Sequence, residues 1–257
     1  MGYIIATSVI TVFAFMVFMF VMAQIKKNNS IVDIGWGIGF ILIAISLLIT
    51  VNPLDAKDLL ISAMIAVWGV RLALHIYIRA KGKPEDFRYA QWRKDWGDKA
   101  AVYAFFKVFM LQGAIMLFVA LPLMVVFNSF DVQLTMISFA GLLIFITGFL
   151  FESIGDYQVY RFKKDPVNKG KIITTGLWKY TRHPNYFGES LLWWGIGIFA
   201  VGSDLFWLAF ASPLLINFLL VKVSGVPMLE KKYEGRDDWE KYKKVTPAFV
   251  PLIGRKG

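Results

Sequence analysis

The 257-residue chain has no cysteine and only two histidines, His75 and His183. The first absence removes disulfides, thiolate metal sites and thiol nucleophiles. The second leaves too few imidazoles for a histidine-built metal cage, so no metal site is predicted. Acidic residues are also scarce, 18 against 28 lysines and arginines, giving a formal charge of +10. An excess of this size can mark a nucleic-acid partner. Its distribution argues against one here, because the basic residues fall in alternate gaps between long apolar stretches. Apolar residues are abundant: the chain is 57% hydrophobic and 16% aromatic, with a mean hydropathy of +0.57, beyond the range of ordinary soluble domains.

Seven stretches reach spanning length, at about residues 4–22, 33–51, 59–78, 102–127, 134–151, 186–200 and 205–221. All but three of the lysines and arginines (Lys57, Arg71 and Lys107) lie in the first, third and fifth connections or the tail. The positive-inside rule then places the N-terminus outside and the C-terminus in the cytoplasm. The predicted fold is all-α: a polytopic bundle of about seven transmembrane helices, in one integral membrane domain over residues 1–257. Cytosolic loops are expected at about 79–101 and 152–185, with a cytosolic tail at 222–257. The expected location is the cytoplasmic (inner) membrane, multi-pass, with the lipid bilayer as partner and no nucleic acid. The first stretch lacks a basic leader and a small-residue cleavage site, so no removable signal peptide is expected. No internal repeat stands out.

Polar groups concentrate at Thr174–Trp194, TTGLWKYTRHPNYFGESLLWW. Such a cluster is costly at a bilayer edge unless something binds it. Arg182 and His183 suit an anion at the positive end of a helix that starts near Pro184. Asn185, Glu189 and Trp193 repeat at i, i+4, i+8, with Glu189 about one turn inside and either neutral or paired with Arg182 or Arg71. In the third stretch Arg71, His75 and Arg79 form one stripe, with Arg71 roughly 12 Å deeper than Arg79. The following loop alternates Lys81, Lys83, Arg88 and Arg93 with Phe87, Tyr89, Trp92 and Trp96. That pattern fits a nucleotide or a lipid headgroup layer. Asp33 and Trp36 share a face of the second stretch, where Asp33 can bind a ribose hydroxyl, pair with Arg71 or cap the helix. Asp156, Tyr160 and Lys163 or Lys164 align further on, and Lys171 follows a turn at Asn168–Gly170. In the tail, Glu230, Tyr233, Tyr242 and Thr246 are placed to close over a cofactor.

In combination, SIVDIGWG at Ser30–Gly37, WGVRLALH at Trp68–His75, GLWKYTRHPNYFGE at Gly176–Glu189, SGVPMLEK at Ser224–Lys231 and TPAFVP at Thr246–Pro251 resemble the steroid 5α-reductase superfamily. The likeness is strongest to its bacterial branch of steroid-reductase-like membrane proteins. That resemblance implies NADPH bound from the cytosolic side of a seven-helix bundle, and reduction of a carbon–carbon double bond in a membrane lipid. It implies nucleotide contacts at Asp156, Lys163 and Lys171, with Tyr180, Asn185, Glu189 and Lys83 also in matching places. The Gln-Glu pair that holds a steroid ketone in the second span is missing, so no steroid substrate is implied.

The leading expectation is therefore an NADPH-dependent oxidoreductase acting on a CH–CH group of a lipid. Glu189, Tyr186, Tyr77 and Asp33 are its candidate catalytic residues. Arg71, His75, Arg79, Lys83, Arg88, Asp156, Lys163, Lys164, Lys171, Tyr180, Arg182, His183, Asn185, Glu189, Trp193 and Trp36 are its candidate cofactor-binding residues. The RHPxYxG block is shared with isoprenylcysteine carboxyl methyltransferases, so the alternative is an S-adenosylmethionine-dependent membrane methyltransferase. A non-catalytic lipid-binding or scaffold protein is the third reading.

Overall fold

A computed structural model describes residues 1–130 and 133–252, and every regular element among them is helical. The main helices are α1 (Gly2–Lys26), α2 (Ile31–Thr50), α3 (Ala56–Ala80), α4 (Phe87–Trp96), α5 (Ala100–Ala104), α6 (Leu111–Val119), α7 (Leu121–Phe127), α8 (Met136–Lys164), α9 (Pro184–Phe199), α10 (Ala211–Phe218), α11 (Val226–Lys231) and α12 (Asp237–Val245). Short turns fuse several of these. Among the described residues, six helical stretches are long and apolar enough to cross a membrane: α1, α2, α3, Phe87–Val119, α8 and Phe206–Lys231. The expected sixth span is α9, which has 16 residues, about 24 Å against the roughly 30 Å of a bilayer core.

Local chemistry sets the helix ends. Asp55 caps α3 by accepting from the Lys57 and Asp58 backbone N–H groups, and Asp58 returns a bond to Asp55 N. Thr135 and Ser138 make the same reciprocal box at α8. Pro184 occupies the first position of α9, where a missing N–H costs nothing.

The chain divides into two compact units, Met1–Leu134 with Ala200–Ala211, and Thr135–Phe199 with Ser212–Gly257. In the first, α2 and α3 touch backbone to backbone. A Cβ at Gly69 would lie 2.6 Å from the Gly37 carbonyl oxygen. Beside that contact Phe40 meets Trp68 edge-on at 5.4 Å, and both are fully buried.

In the second unit α8 and α9 run antiparallel along a glycine seam. Gly141 faces Phe199, Gly148 faces Leu192, Gly155 faces Asn185, Gly188 faces Glu152 and Gly195 faces Phe145. These glycines recur every seven residues on each helix, a repeat that escaped notice in the sequence. Each turns a side-chain position into backbone contact, the arrangement by which helices associate where lipid removes the hydrophobic drive.

Candidate functional site

The polar cluster of the second unit forms at the mouth of α9. Its approach loop is pinned to α8, because Trp178 Nε1 donates to the Gly155 carbonyl at 3.2 Å and Leu177 N donates to Gln158 Oε1 at 3.0 Å. The tail then lies along the loop. Thr181 Oγ1 donates to Phe249 O at 2.8 Å, Arg182 N to Pro247 O at 2.9 Å and Leu252 N to Tyr180 O at 3.1 Å. Tyr242 donates its hydroxyl to Trp178 O. Burial pushes the Tyr242 phenol above its ordinary range, so it stays a donor.

Arg182 is buried at the centre of this junction. Its Nε and Nη2 reach the two oxygens of Glu230 at 2.9 and 3.2 Å. Its Nη1 donates to Thr246 O at 2.6 Å and Lys243 O at 3.3 Å, and the guanidinium lies 5.6 Å from the Trp239 ring centre. The sequence offered Arg182 to an anion or to Glu189. In the structure its three nitrogens are engaged by Glu230 and tail carbonyls, a pairing across 48 residues that no local pattern announces. Glu230 Oε1 also lies 3.0 Å from His183 Nε2, and the His183 ring stacks on Tyr186 at 5.5 Å and 14°.

Two buried atoms at this mouth have no hydrogen-bond partner among the described residues, His183 Nδ1 and Asn185 Oδ1. The other end of the Asn185 amide donates to Asp156 Oδ1 at 3.0 Å, which brings together two residues selected separately from the sequence. Ser190, one turn deeper, donates to Asn217 Oδ1. Glu152 lies at the level of Gly188 and is 2% exposed. The sequence does not single it out, because it stands just past the end of the apolar run at 134–151 with no polar pattern of its own. Glu189 and Tyr186 are half-buried, while Trp193 is fully buried. Tyr180, Lys163, Lys164 and Lys171 are exposed.

The first unit builds a separate ionic cluster. Asp33 accepts from the Tyr89 hydroxyl at 2.7 Å and from Arg88 Nη2 at 3.4 Å, and Gln112 Nε2 donates to the same hydroxyl at 3.2 Å. Arg88 also reaches Asp86 at 2.9 Å. Burial opposes the Asp86 charge, but the Arg88 hydrogen bonds win and hold its carboxyl below the usual range. Arg93 pairs with Glu85. Trp92 stacks on Trp96 at 5.9 Å. The basic and aromatic residues of this stretch are thus largely occupied with one another and with neighbouring carboxylates. Asp33 takes Arg88, where the sequence suggested Arg71 or a helix cap. Trp36 packs against Phe40 at 5.4 Å. Arg71 and His75 are half-buried, whereas Tyr77, Arg79 and Lys83 are exposed.

Residues 19–246 match a family of proteins of unknown function, DUF1295. The chain belongs to that family. It is also 33% identical over 78 residues to the "Probable O-methyltransferase ustE" of Ustilaginoidea virens, covering 30% of this chain and 27% of that protein. It is 29% identical over 107 residues to a methanethiol S-methyltransferase of Crocosphaera subtropica, covering 41% of this chain and 40% of that protein. The chain thus spans well under half the length of these curated relatives. No solved structure matches. These relatives correct the reductase expectation: they are named methyltransferases, so the steroid-reductase resemblance, the CH–CH oxidoreductase activity and NADPH are not upheld. The alternative reading, a methyltransferase suggested by the RHPxYxG pattern, agrees better with these relatives. The lysines read as phosphate ligands are explained equally well by the charge asymmetry of a membrane protein.

Proposed function

We propose that this chain is a membrane methyltransferase that takes a methyl group from S-adenosylmethionine and places it on the oxygen or sulfur of a neutral, membrane-soluble acceptor. The observation that carries this reading is that two relatives named for different acceptor atoms share the same type of transfer. The α9 mouth offers groups whose chemistry suits the cofactor. Asn185 Oδ1 is a buried acceptor without a donor, suited to the amino groups of S-adenosylmethionine, and Asp156 holds the amide in place. Tyr186 and Tyr180 supply ring surface nearby. When bound, the cofactor supplies an electrophilic methyl group on a sulfonium.

An oxygen or sulfur nucleophile releases a proton as it is methylated, and His183 is placed to receive it. Glu230, ionised beside Arg182, can only accept a hydrogen bond. In the neutral imidazole the hydrogen therefore lies on Nε2, which leaves the lone pair on Nδ1. A carboxylate fixing the tautomer of an imidazole base is a recurring catalytic device.

The same geometry supports seven crossings. The α9 mouth touches the tail after Lys231, while Phe199 lies at the opposite end of the α8–α9 seam. A chain that leaves at one end and is found again at the other has run the length of the seam twice, the path expected of two crossings, through α9 and through Phe206–Lys231. A short α9 is accommodated by local bilayer thinning. The basic loops then face the cytoplasm across the cytoplasmic membrane.

Thermal unfolding of the detergent-solubilised protein tests the reading. S-adenosylmethionine at one hundred times its dissociation constant should stabilise the fold by about 2.7 kcal/mol, and Asn185→Ala should weaken that binding. Stabilisation by NADPH with none by S-adenosylmethionine overturns the proposal. His183→Gln should retain cofactor binding yet lower transfer to a thiol or alcohol by about 10²–10⁴-fold. Loss of cofactor binding in that variant would move His183 from the proton to the cofactor.

A further inference from the structure

We propose that Asp58 and Ser62, at the start of α3, bind one monovalent cation, with water completing its shell. The charges in this first turn do not balance. Lys57, 1% exposed, sends its ammonium to Val201 O at 2.8 Å and Ser203 Oγ at 3.3 Å. Asp58 is 2% exposed. Its Oδ2 accepts from Asp55 N at 3.1 Å, but its Oδ1 is buried with no partner. Asp55, which shares the capping box with it, is a carboxylate of the same sign. The positive end of α3 answers about half an elementary charge, and Asp55 already draws on it.

Ser62 stands one turn further along the same face. It is 6% exposed, and its Oγ also has no partner. Residues four apart on a helix have Cβ atoms about 5–6 Å apart, and helical Cα–Cβ bonds tilt toward the N-terminus, so Ser62 sits beside Asp58 on the helix surface. The two groups do not bond each other directly. A buried carboxylate oxygen and a buried hydroxyl, each without a partner, call for an occupant between them. Water alone would satisfy the hydrogen bonds and leave the charge of Asp58 buried and unmatched, which is the costlier part. Carboxylate and hydroxyl oxygens select a hard cation. One carboxylate matches one positive charge, whereas calcium takes six to eight oxygens and gathers several carboxylates.

The test is the thermal midpoint of the full-length protein in detergent, in sodium, potassium or lithium chloride against N-methylglucamine chloride at equal ionic strength. The midpoint should rise by several degrees with one of the small cations, saturating as that cation is added. Asp58→Asn should abolish the rise. Should that variant fail to fold, Ser62→Ala keeps the charge and should raise the half-saturating cation concentration about tenfold. Equal midpoints in all four salts overturn the proposal and leave the place to a proton or a water. A rise that persists unchanged in Ser62→Ala, or in a folded Asp58→Asn, places the cation elsewhere and overturns it equally.

Discussion

Glu230→Ala should lower the stability of the second unit by about 3–5 kcal/mol, the usual cost of stranding one partner of a buried ion pair. The pair is well enclosed, with side-chain exposures of 9% for Arg182 and 19% for Glu230. Without the carboxylate, two guanidinium nitrogens lose their acceptors, and His183 Nε2 loses its partner as well. The expected result is a fall of many degrees in thermal midpoint, or no folded protein in detergent extracts. Glu230→Gln, which keeps an acceptor of similar shape, should fall between the two. Lys243→Ala is the contrasting case. It removes an exposed pair with Glu240 and keeps the backbone carbonyl that Arg182 uses, and exposed pairs contribute little. A midpoint in Glu230→Ala equal to that in Lys243→Ala would show that the Arg182 junction does not hold the unit together.

Gly188→Leu should be as damaging for a different reason. The Cβ it adds would strike the backbone of Glu152 and the Gly148 carbonyl, not a side chain that can turn aside. Overpacking costs typically about 1–3 kcal/mol where side chains can yield. Here α8 and α9 must separate along their seam, so the loss should reach or exceed that range. Gly2→Ala, with open space around its position, should be neutral. The yield of folded protein and its thermal midpoint measure both. A Gly188→Leu protein with an unchanged midpoint would mean the two backbones do not meet.

The apolar stretches were legible because bilayer thickness is written into run length. Their edges were less so. Hydropathy ends the fifth stretch near residue 151, yet α8 continues to Lys164, since an amphipathic helix can leave the membrane without unwinding. The stretch at 102–127 extends an earlier helix that begins at Phe87 and is interrupted by a π turn at Phe105–Met110 and a break before Leu121. At the site, Arg182, His183, Asn185 and Asp156 stood out by residue type, because polar groups beside apolar runs are costly and therefore informative. Their partners did not stand out. Arg182, just before α9, was equally compatible with Glu189 in the first turns of that helix, and only tertiary structure brings Glu230 to it. Asp33 was similarly open to Arg71 until α4 delivered Tyr89 and Arg88.

The junction at the α9 mouth also bears on the order in which the protein is made. Thr181 and Arg182 draw their partners from residues 48 to 68 positions later in the chain. The α8–α9 seam needs nothing beyond Phe199 and can zip while the ribosome is still working. The mouth itself must wait, with a guanidinium and an imidazole unanswered, until Glu230 and then Thr246–Phe249 have emerged. Synthesis thus builds the helical pair first and seals the mouth last.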